Sequence, residues 1–291
     1  MCGIAGWFDK TNNLNKHQHI IDNMSLSLAN RGPDEDGIFM RKNLCLIHRR
    51  LSIIDIESGK QPMTKAYKGK ICTIVYNGEI YNSPEIMSEL RSKGFSFFGH
   101  SDTEVVLTAY LCWGTKCVEK LNGIFAFAIW DDDEQRLFLA RDRIGVKPLF
   151  YYEYKNGLLF ASEIKTLLKN PIVEPKIDEQ GLYEVFLLGP ARTSGFGVIK
   201  DIKELLPGEC ATYNGKEIRK KKYFTLRAYE HRDNEKQTIE HIRELITDSI
   251  ERQLVSDVPL CTFLSGGLDS SIISYVASNY YRKNKLDTLT T

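Results

Sequence analysis

The sequence MCGIAGWF, residues Met1–Phe8, places a cysteine directly after the start methionine. Removal of Met1 would leave Cys2 with a free α-amine beside its thiol. An α-amine titrates at roughly 7.7–8.0 and a free thiol at about 8.5, so part of the amine is neutral at physiological pH and can accept the thiol proton. Terminal cysteine and threonine nucleophiles work in this way. The pair Met-Cys alone decides nothing, so the other groups of an acyl-transfer site must be sought along the chain.

Size and composition are those of a soluble globular protein. The chain has 291 residues, of which 26% are charged and 42% apolar, and its formal net charge is +1. No basic field indicates a nucleic acid or an anionic membrane as partner. The longest apolar run, residues 123–130, is too short to cross a bilayer, and the amino terminus has no secretion signal. We therefore expect a cytoplasmic protein without nucleic-acid or membrane partners.

The cysteines and histidines do not form a recognisable metal or disulfide pattern. No C-x-x-C pair occurs, and an odd number of scattered cysteines predicts reduced, mostly buried thiols. His17 and His19 have no cluster of ligands at zinc spacing nearby, so surface histidines are the preferred interpretation. The seven cysteines are Cys2, Cys45, Cys72, Cys112, Cys117, Cys210 and Cys261.

Up to about Pro207 the sequence predicts short strands separated by turns, with a few helices. The predicted strands are rich in β-branched, aromatic and aliphatic residues. One predicted helix has a single apolar face, and another begins with Ser-x-x-Glu before an apolar run, which is typical of a helix start. The predicted strands are residues 72–76, 124–130 and 136–142, and the predicted helices are residues 19–32 and 101–114.

After Gly208 the composition changes. Residues 209–235 are polar and basic, as expected of a last hairpin or a linker. Residues 238–254 then carry an apolar stripe at helical spacing, followed by a predicted strand at Leu260–Leu264, a glycine loop and a helix from about Ser270. This order predicts the start of a parallel α/β domain, whose other strands and helices do not follow. We therefore expect residues 236–291 to be a truncated domain.

The segment YNGEIYN, residues 76–82, offers donors for the oxyanion of a tetrahedral intermediate. Asn77 supplies a side-chain amide and Gly78 a backbone N–H. However, Asn-Gly after a strand-like run is also the most common hairpin turn. The chain has four such pairs, beginning at Asn77, Asn122, Asn156 and Asn214. The dipeptide alone therefore leaves both interpretations open.

A free amino acid as substrate would need a cation for its carboxylate and an anion for its ammonium group. The segment HRRLSIID, residues 48–55, supplies Arg49 and Arg50, and SDTE, residues 101–104, supplies Asp102. Alternatively, Asp102 is favoured in the first turn of a helix by the helix dipole, and the arginines simply lie in water. Taken singly, each feature is more often structural than functional.

Considered together, these segments occur in a characteristic order. The series resembles the glutaminase domain of glutamine-dependent asparagine synthetases, which are class II amidotransferases with the N-terminal-nucleophile hydrolase fold. The resemblance covers nearly all of residues 2–225. The segments are MCGIAG (1–6), RGPDEDG (31–37), HRRLSIID (48–55), QPM (61–63), YNGEIYN (76–82), SDTEVVL (101–107), FAFAIWD (125–131), ARDRIGVKPLFY (140–151) and FASEIKTLL (160–168).

The resemblance implies an α+β protein with an αββα sandwich of two stacked antiparallel sheets flanked by helices. The implied glutaminase domain is residues 2–208, followed by a terminal hairpin or linker at 209–235. Residues 236–291 would be the truncated start of an α/β domain of the ATP-pyrophosphatase type.

The family's functional residues can be transferred to matching positions. Cys2 resembles the nucleophile after loss of Met1, with Asn77 and Gly78 as the oxyanion hole. Glu79 and Asp102 would hold the ammonium group of glutamine, and Asn77 and Gly78 would also belong to the glutamine-binding residues. Arg50 would bind the α-carboxylate on a stretch that lines the pocket, namely Arg50, Leu51, Ser52, Ile53 and Ile54.

The loop that closes over glutamine carries Arg31 in the family. Asn30 replaces the histidine that many relatives have before the Arg-Gly-Pro-Asp segment. This departure concerns the details of the loop rather than the chemistry. No cofactor is implied for the glutaminase half.

The segment FLSGGLDSS, residues 263–271, is predicted between a strand and a helix, where glycines can expose N–H groups to phosphate oxygens. It lacks the lysine of the NTPase phosphate loop, and a flexible turn with a helix cap is the alternative. The pattern S-G-G-x-D-S resembles the pyrophosphate loop of ATP-pyrophosphatases. That resemblance implies an ATP site with Mg²⁺ near Asp269, formed by Leu264, Ser265, Gly266, Gly267, Asp269 and Ser270.

The two modules together imply one coupled reaction. Cys2 would hydrolyse glutamine to glutamate and ammonia, and ammonia would attack a β-aspartyl-adenylate made from aspartate and ATP. The products would be asparagine, AMP and pyrophosphate, and this fragment would retain at most the glutaminase half. Homodimers are usual in the family. The alternatives are another carboxylate acceptor, as in β-lactam or cell-surface biosynthesis, or a silent binding domain if Met1 is retained.

Overall fold

The computed structural model describes residues 1–55, 58–286 and 288–291. The chain forms two compact units. The first consists of Met1–Ser52 with Glu57–Thr225, and the second of Ile53–Ile56 with Leu226–Thr291. In the described part of the chain, no helix is both long enough and apolar enough to span a membrane.

The first unit contains two six-stranded sheets, and neighbouring strands in both are antiparallel. The first sheet has the spatial order β10 (Ile202–Glu204), β8 (Phe150–Tyr154), β9 (Gly157–Ala161), β1 (Gly3–Asp9), β3 (Leu44–Arg50) and β2 (Glu35–Arg41). The second has the order β12 (Ile218–Lys222), β11 (Glu209–Tyr213), β7 (Arg136–Arg141), β6 (Gly123–Asp131), β5 (Lys70–Ile80) and β4 (Met63–Tyr67).

Most helices of the first unit pack on the outer faces of the sheets. Ser101 begins one of them, because its hydroxyl oxygen accepts a hydrogen bond from Thr103 N at 3.2 Å. The helices are α1 (Gln18–Ser27), α2 (Ser83–Ser92), α3 (Asp102–Trp113), α4 (Ile164–Leu167) and α5 (Glu179–Tyr183), with 3₁₀ turns at Leu14–Lys16 and Gly114–Glu119 and a π turn at Glu184–Leu188.

Three apolar clusters are packed between the layers of helices and sheets. Along β6, Ala126 and Ala128 pack in the cluster between the two sheets, whereas Phe125 and Phe127 pack against α2 and α3. This alternation follows from the two-residue period of a strand that is buried on both faces. A third cluster joins the first sheet to α1 and α4. The layers are therefore helix, sheet, sheet, helix, and the predicted αββα fold is confirmed.

The strands and helices predicted in the first 207 residues are confirmed as β5, β6, β7, α1 and α3, although α1 ends at Ser27 rather than at Gly32. The pair Asn77–Gly78 does not form a hairpin turn. It lies inside β5, opposite Ala126 and Phe125, so the turn alternative is wrong at this position. The two-residue hairpin turn for which Asn-Gly is typical needs positive φ at both residues, whereas neither Asn77 nor Gly78 has one.

The predicted last hairpin contains β11 and β12, which pair with each other and extend the second sheet. Residues 226–234 have no regular secondary structure and precede the second unit's first long helix. That helix, α6 (Glu235–Arg252), has Asn234 as its N-cap. A second long helix, α7 (Leu268–Lys283), follows the glycine loop. Both predicted helices are confirmed.

The predicted strand at Leu260–Leu264 is wrong. Within the described residues this segment pairs only at Cys261, which forms an isolated parallel bridge with Thr290, and Thr262 N donates to Thr290 O at 3.0 Å. Apolar composition favours a strand, but a strand forms only where an extended neighbour satisfies its backbone groups.

Candidate active site

Cys2 directly precedes β1 in the sequence and lies next to the end of β3 in space. Its thiol contacts the backbone of Leu51, with Leu51 N 3.5 Å and Leu51 O 3.6 Å from Sγ. Arg31 Nε donates to Cys2 O at 2.9 Å. The antiparallel pairing of Gly3 with Arg49 brings these segments together. Cys2 is therefore fixed between the end of β3 and the loop that follows α1.

Burial raises the pKa of the Cys2 thiol, and the nearby Asp102 carboxylate acts in the same direction. The Leu51 backbone, the amino terminus and Arg50 oppose this effect. Burial lowers the pKa of the Met1 amine, and the positive charges of Arg31 and Lys147 add to this effect. A thiol with a raised pKa needs a base, and the α-amine that Cys2 gains on removal of Met1 would supply one.

Asn77 and Gly78 lie in the middle of β5. Asn77 is buried, and its Nδ2 has no hydrogen-bond partner among the described residues. A Cβ at Gly78 would come within 2.3 Å of Ile124 O and 2.7 Å of Phe125 Cα, so β6 can approach only a glycine here. A buried amide donor without a partner is costly unless a ligand supplies an acceptor. The structure thus brings a donor and a backbone N–H side by side.

Asp102 is buried in the first turn of α3. Its Oδ2 accepts hydrogen bonds from Tyr76 Oη at 2.7 Å and Ile80 N at 3.1 Å. Tyr76 and Ile80 stand on either side of Asn77, Gly78 and Glu79 in β5. Burial raises the pKa of Asp102 to about 6.

Glu79 is half-buried next to Gly78. Burial raises the pKa of the Glu79 carboxyl, whereas the charge of Lys147 lowers it. The charge of Glu79 in turn helps to raise the pKa of Asp102. The two carboxyl groups therefore belong to one electrostatic cluster beside the Asn77–Gly78 pair.

Arg50 ends β3, with its side chain buried. Its guanidinium Nη1 donates to Glu35 Oε2 at 2.8 Å. Its carbonyl accepts from Asp34 N at 3.0 Å, and Asp34 Oδ2 accepts from Ser52 N at 2.8 Å. These bonds fix the backbone on both sides of Leu51, which contacts the Cys2 thiol.

Two residues of the predicted pocket lining, Ile53 and Ile54, belong to the second unit. There Ile53 O accepts a hydrogen bond from Asp257 N at 3.0 Å. The structure thus assembles Arg50, Leu51 and Cys2 in the first unit, and the predicted role of Ile53 and Ile54 rests on the sequence.

Two residues that support β5 were not singled out from the sequence. Gln61 Oε1 accepts from Tyr76 N at 2.7 Å, and Gln61 Nε2 donates to Thr103 Oγ1 at 3.2 Å. His48 is buried with Nε2 3.1 Å from Tyr76 O, and burial lowers its pKa to about 3. His48 is therefore neutral. His48 and Gln61 both belong to the sequence segments that carry the family resemblance, but nothing in the spacing of those segments indicated the contacts with Tyr76.

The glycine loop of the second unit leads into α7. Gly266 has φ +84° and open space around it, and Gly267 is the N-cap. Ser265 Oγ and Ser270 Oγ are 3.0 Å apart. Asp269 lies in the first turn of α7, and Leu264 is exposed. The loop borders a cavity of about 510 Å³ lined by Cys261, Thr262, Phe263, Ser265, Gly267, Leu268, Asp269, Ser270 and Ile273.

Residues 1–224 match the glutamine amidotransferase domain family. The chain belongs to this family. Residues 241–291 of this amidotransferase chain also match the asparagine synthase family.

Curated relatives of the amidotransferase chain include asparagine synthetases named as glutamine-hydrolysing. Synthetase 3 of Bacillus subtilis is 45% identical, over 97% of the chain and 46% of the relative. Synthetase 1 of the same organism is 37% identical, over 97% and 44%, and synthetase B of Escherichia coli is 32% identical, over 96% and 45%. The chain thus spans about half the length of these relatives.

Solved structures show the same fold. A glutamine phosphoribosylpyrophosphate amidotransferase of B. subtilis superposes with a TM-score of 0.55 at 15% identity, over 98% of the chain and 64% of that protein. The N-terminal-nucleophile hydrolase fold predicted from the sequence is confirmed.

Proposed function

We propose that the chain is the glutaminase half of a glutamine-hydrolysing asparagine synthetase, together with the start of its ATP-dependent half. The observation that carries the glutaminase assignment is the buried Nδ2 of Asn77 beside Gly78, which has no hydrogen-bond partner in the described part of the chain. Asp102 accepts hydrogen bonds from Tyr76 and Ile80, on either side of residues 77–79, and it also raises the pKa of the Cys2 thiol. These observations support a site in which Cys2 is the nucleophile, Asn77 and Gly78 are the oxyanion donors and Asp102 is the anion.

The reaction begins after Met1 is removed. The α-amine of Cys2 takes the thiol proton, and the thiolate attacks the carboxamide carbon of glutamine. Asn77 Nδ2 and Gly78 N donate to the oxyanion that forms. The carbon–nitrogen bond breaks, the amine passes its proton to the leaving nitrogen, and ammonia departs. Water then hydrolyses the thioester to glutamate.

Ionic groups orient glutamine for this attack. The guanidinium of Arg50 binds the α-carboxylate, on the stretch of residues 50–54. The carboxylates of Asp102 and Glu79 hold the ammonium group. Arg31, whose Nε bonds to Cys2 O at 2.9 Å, closes the loop over the substrate. The glutaminase half uses no cofactor.

In the whole protein the ammonia would attack β-aspartyl-AMP, giving asparagine, AMP and pyrophosphate. ATP binds Leu264, Ser265, Gly266, Gly267, Asp269 and Ser270. The open space at Gly266 and the two serine hydroxyls suit a phosphate cradle. One carboxylate, Asp269, fits Mg²⁺, which neutralises phosphate charge and uses one or two protein carboxylates with phosphate oxygens.

The domain organisation that we propose is glutaminase at 2–208, the terminal hairpin or linker at 209–235, and the synthetase start at 236–291. The proposed protein is a cytoplasmic homodimer that binds neither nucleic acid nor membranes. Free cysteines at seven positions support a reducing compartment.

Covalent trapping with the glutamine analogue 6-diazo-5-oxo-norleucine tests the glutaminase. In protein shown by intact mass to lack Met1, we expect one adduct, mapped to Cys2, and loss of glutamine hydrolysis. Cys261 is an exposed free thiol, so Cys261→Ala controls for unspecific alkylation. Cys261→Ala should still be trapped and Cys2→Ala should not. An unmodified Cys2 in processed protein would refute the proposal.

A further inference from the structure

Lys147 is a buried lysine whose ammonium group contacts the amino-terminal methionine. Only 7% of the residue is exposed. Its Nζ contacts Met1 Sδ at 3.4 Å, and within the described ranges no carboxylate oxygen lies within 4.0 Å of it. Burying an ammonium group without a directly paired anion is costly. The Lys147 ammonium lies next to the amino-terminal residue, and among the described residues only more distant anions balance its charge.

The backbone that carries Lys147 is firmly held. The buried carboxylate of Asp142 accepts hydrogen bonds from Ile144 N at 3.1 Å, Val146 N at 3.0 Å and Lys147 N at 2.9 Å. The guanidinium of Arg141 donates to Lys147 O at 2.8 Å. These hydrogen bonds therefore fix the backbone from which the Lys147 ammonium group extends.

Charged groups from several elements face this ammonium. They are the amine before β1, the Cys2 thiol, Arg31 from the loop after α1, Glu79 from β5 and Asp142 from the loop after β7. Burial lowers the pKa of Lys147, while Glu79, Cys2 and Asp142 favour its charged form. Asp34 and Arg31 also act on the amine, in opposite directions.

We propose that Lys147 is a positioning residue for the hydrolysis of glutamine: once Met1 is gone, its ammonium lies beside the new α-amine of Cys2 and disfavours protonation of that amine. Lys147 contacts the side chain of Met1, the residue bonded to the nitrogen of Cys2, and it interacts electrostatically with the Cys2 thiol and with the amino terminus. This inference rests on the proposed glutaminase function.

The charge acts at two steps. A nearby cation lowers the pKa of an ammonium group, so the amine is neutral at lower pH and ready to take the thiol proton. After that transfer the amine is positive, and repulsion by Lys147 favours passing the proton to the leaving nitrogen. The thiol loses the proton, the amine carries it, and ammonia takes it away.

The test is the pH profile of kcat/KM for glutamine in processed protein. In Lys147→Met we expect the acidic limb to move up by about one pH unit, which is about a tenfold loss at pH 6.5. The kcat/KM values of the wild type and of Lys147→Met should converge near pH 9, where the α-amine of Cys2 is neutral in both proteins. Lys147→Arg should keep the wild-type limb, and Lys220→Met, at an exposed lysine, should leave it unchanged.

An unmoved limb in Lys147→Met, or an equal shift in Lys147→Arg, would overturn the proposal. A second measurement needs no variant: ¹⁵N NMR titration of the Cys2 amine in the wild type. We expect its pKa to lie below that of a short peptide beginning with cysteine, and an equal or higher pKa would also overturn the proposal. Absence of glutamine hydrolysis in the wild type would instead refute the proposed function.

Discussion

Tyr76 donates its hydroxyl to Asp102 Oδ2 across 2.7 Å, joining the middle of β5 to the first turn of α3. Ile80 N gives the same oxygen a second bond at 3.1 Å. The carboxylate is thereby kept beside the three residues between Tyr76 and Ile80. Because these donors only partly offset burial, the pKa of Asp102 rises to about 6.

This pKa predicts how glutamine binding depends on pH. A protonated Asp102 cannot hold an ammonium group, so we expect KM for glutamine to rise below pH about 6, by about tenfold for each pH unit. Asp102→Asn should have a high KM that no longer changes in this range. Steady-state kinetics between pH 5 and 8 measure both, and a constant wild-type KM would contradict the assignment.

The same pKa predicts a change in stability. The folded carboxyl binds its proton more tightly than the unfolded one, so its ionisation lowers the free energy of unfolding as pH rises from about 4 to about 6. Asp102→Asn cannot ionise and should be at least as stable as the wild type at pH 7. Urea unfolding should show this difference shrinking towards pH 4, and a variant much less stable at pH 7 would argue against it.

Removing the Asn77 amide should harm catalysis more than folding. We expect Asn77→Ala to lower kcat by about 100- to 1,000-fold, the usual effect of losing one oxyanion donor. Asn170 is the matched control, since it is also buried with an unpartnered Nδ2 within the described structure. Asn170→Ala should keep kcat near the wild-type value. Equal losses in the two variants would indicate a structural role for Asn77.

Lys65 and Glu104 form a buried ion pair, with Nζ 2.7 Å from Oε1. Glu104→Gln leaves the Lys65 charge buried without its anion, so we expect the free energy of unfolding to fall by about 3–5 kcal/mol. Adding Lys65→Met should recover part of the loss. Urea unfolding measures both changes.

An exposed ion pair is the control for this experiment. Lys221 Nζ lies 3.0 Å from Glu119 Oε1, and both side chains are largely in solvent. Glu119→Gln should therefore change stability by at most about 1 kcal/mol. If Glu104→Gln and Glu119→Gln lowered the free energy of unfolding equally, burial of the ion pair would not explain its contribution to stability.

Gly32 allows the loop with Arg31 to lie against β3. A Cβ there would come within 2.2 Å of Arg49 C and 2.4 Å of Arg50 N. We expect Gly32→Ala to push the loop away from the site and to raise KM for glutamine together with a loss of about 1–3 kcal/mol in stability.

Gly69 provides the comparison for Gly32, because a Cβ there would meet nothing within 4 Å although its φ is +88°. Gly69→Ala should cost some stability through backbone strain and leave the kinetics unchanged. The two variants should differ in KM, and an unchanged KM in Gly32→Ala would show that the loop does not need this close approach.

Local patterns were sufficient for β5, β6, β7, α1, α3, α6 and α7. The apolar composition of β6 and the Ser101 cap of α3 involve only residues a few positions apart, so the sequence shows them. The apolar segment Leu260–Leu264 shows the limit, because its single bridge at Cys261 depends on a partner elsewhere in the chain. Asn77–Gly78 shows it too, since the same dipeptide suits a turn or the interior of β5.

The sequence alone determined the fold class and the order of the candidate groups, because the segments that carry the family resemblance can be recognised along the chain. Only the tertiary structure decided that Asp102 bonds to Tyr76, that the Cys2 thiol touches Leu51, and that Lys147 reaches the amino terminus. The last two contacts join residues 49 and 146 positions apart. Burial sets the protonation of these groups, and burial is a property of the packed layers rather than of any local segment.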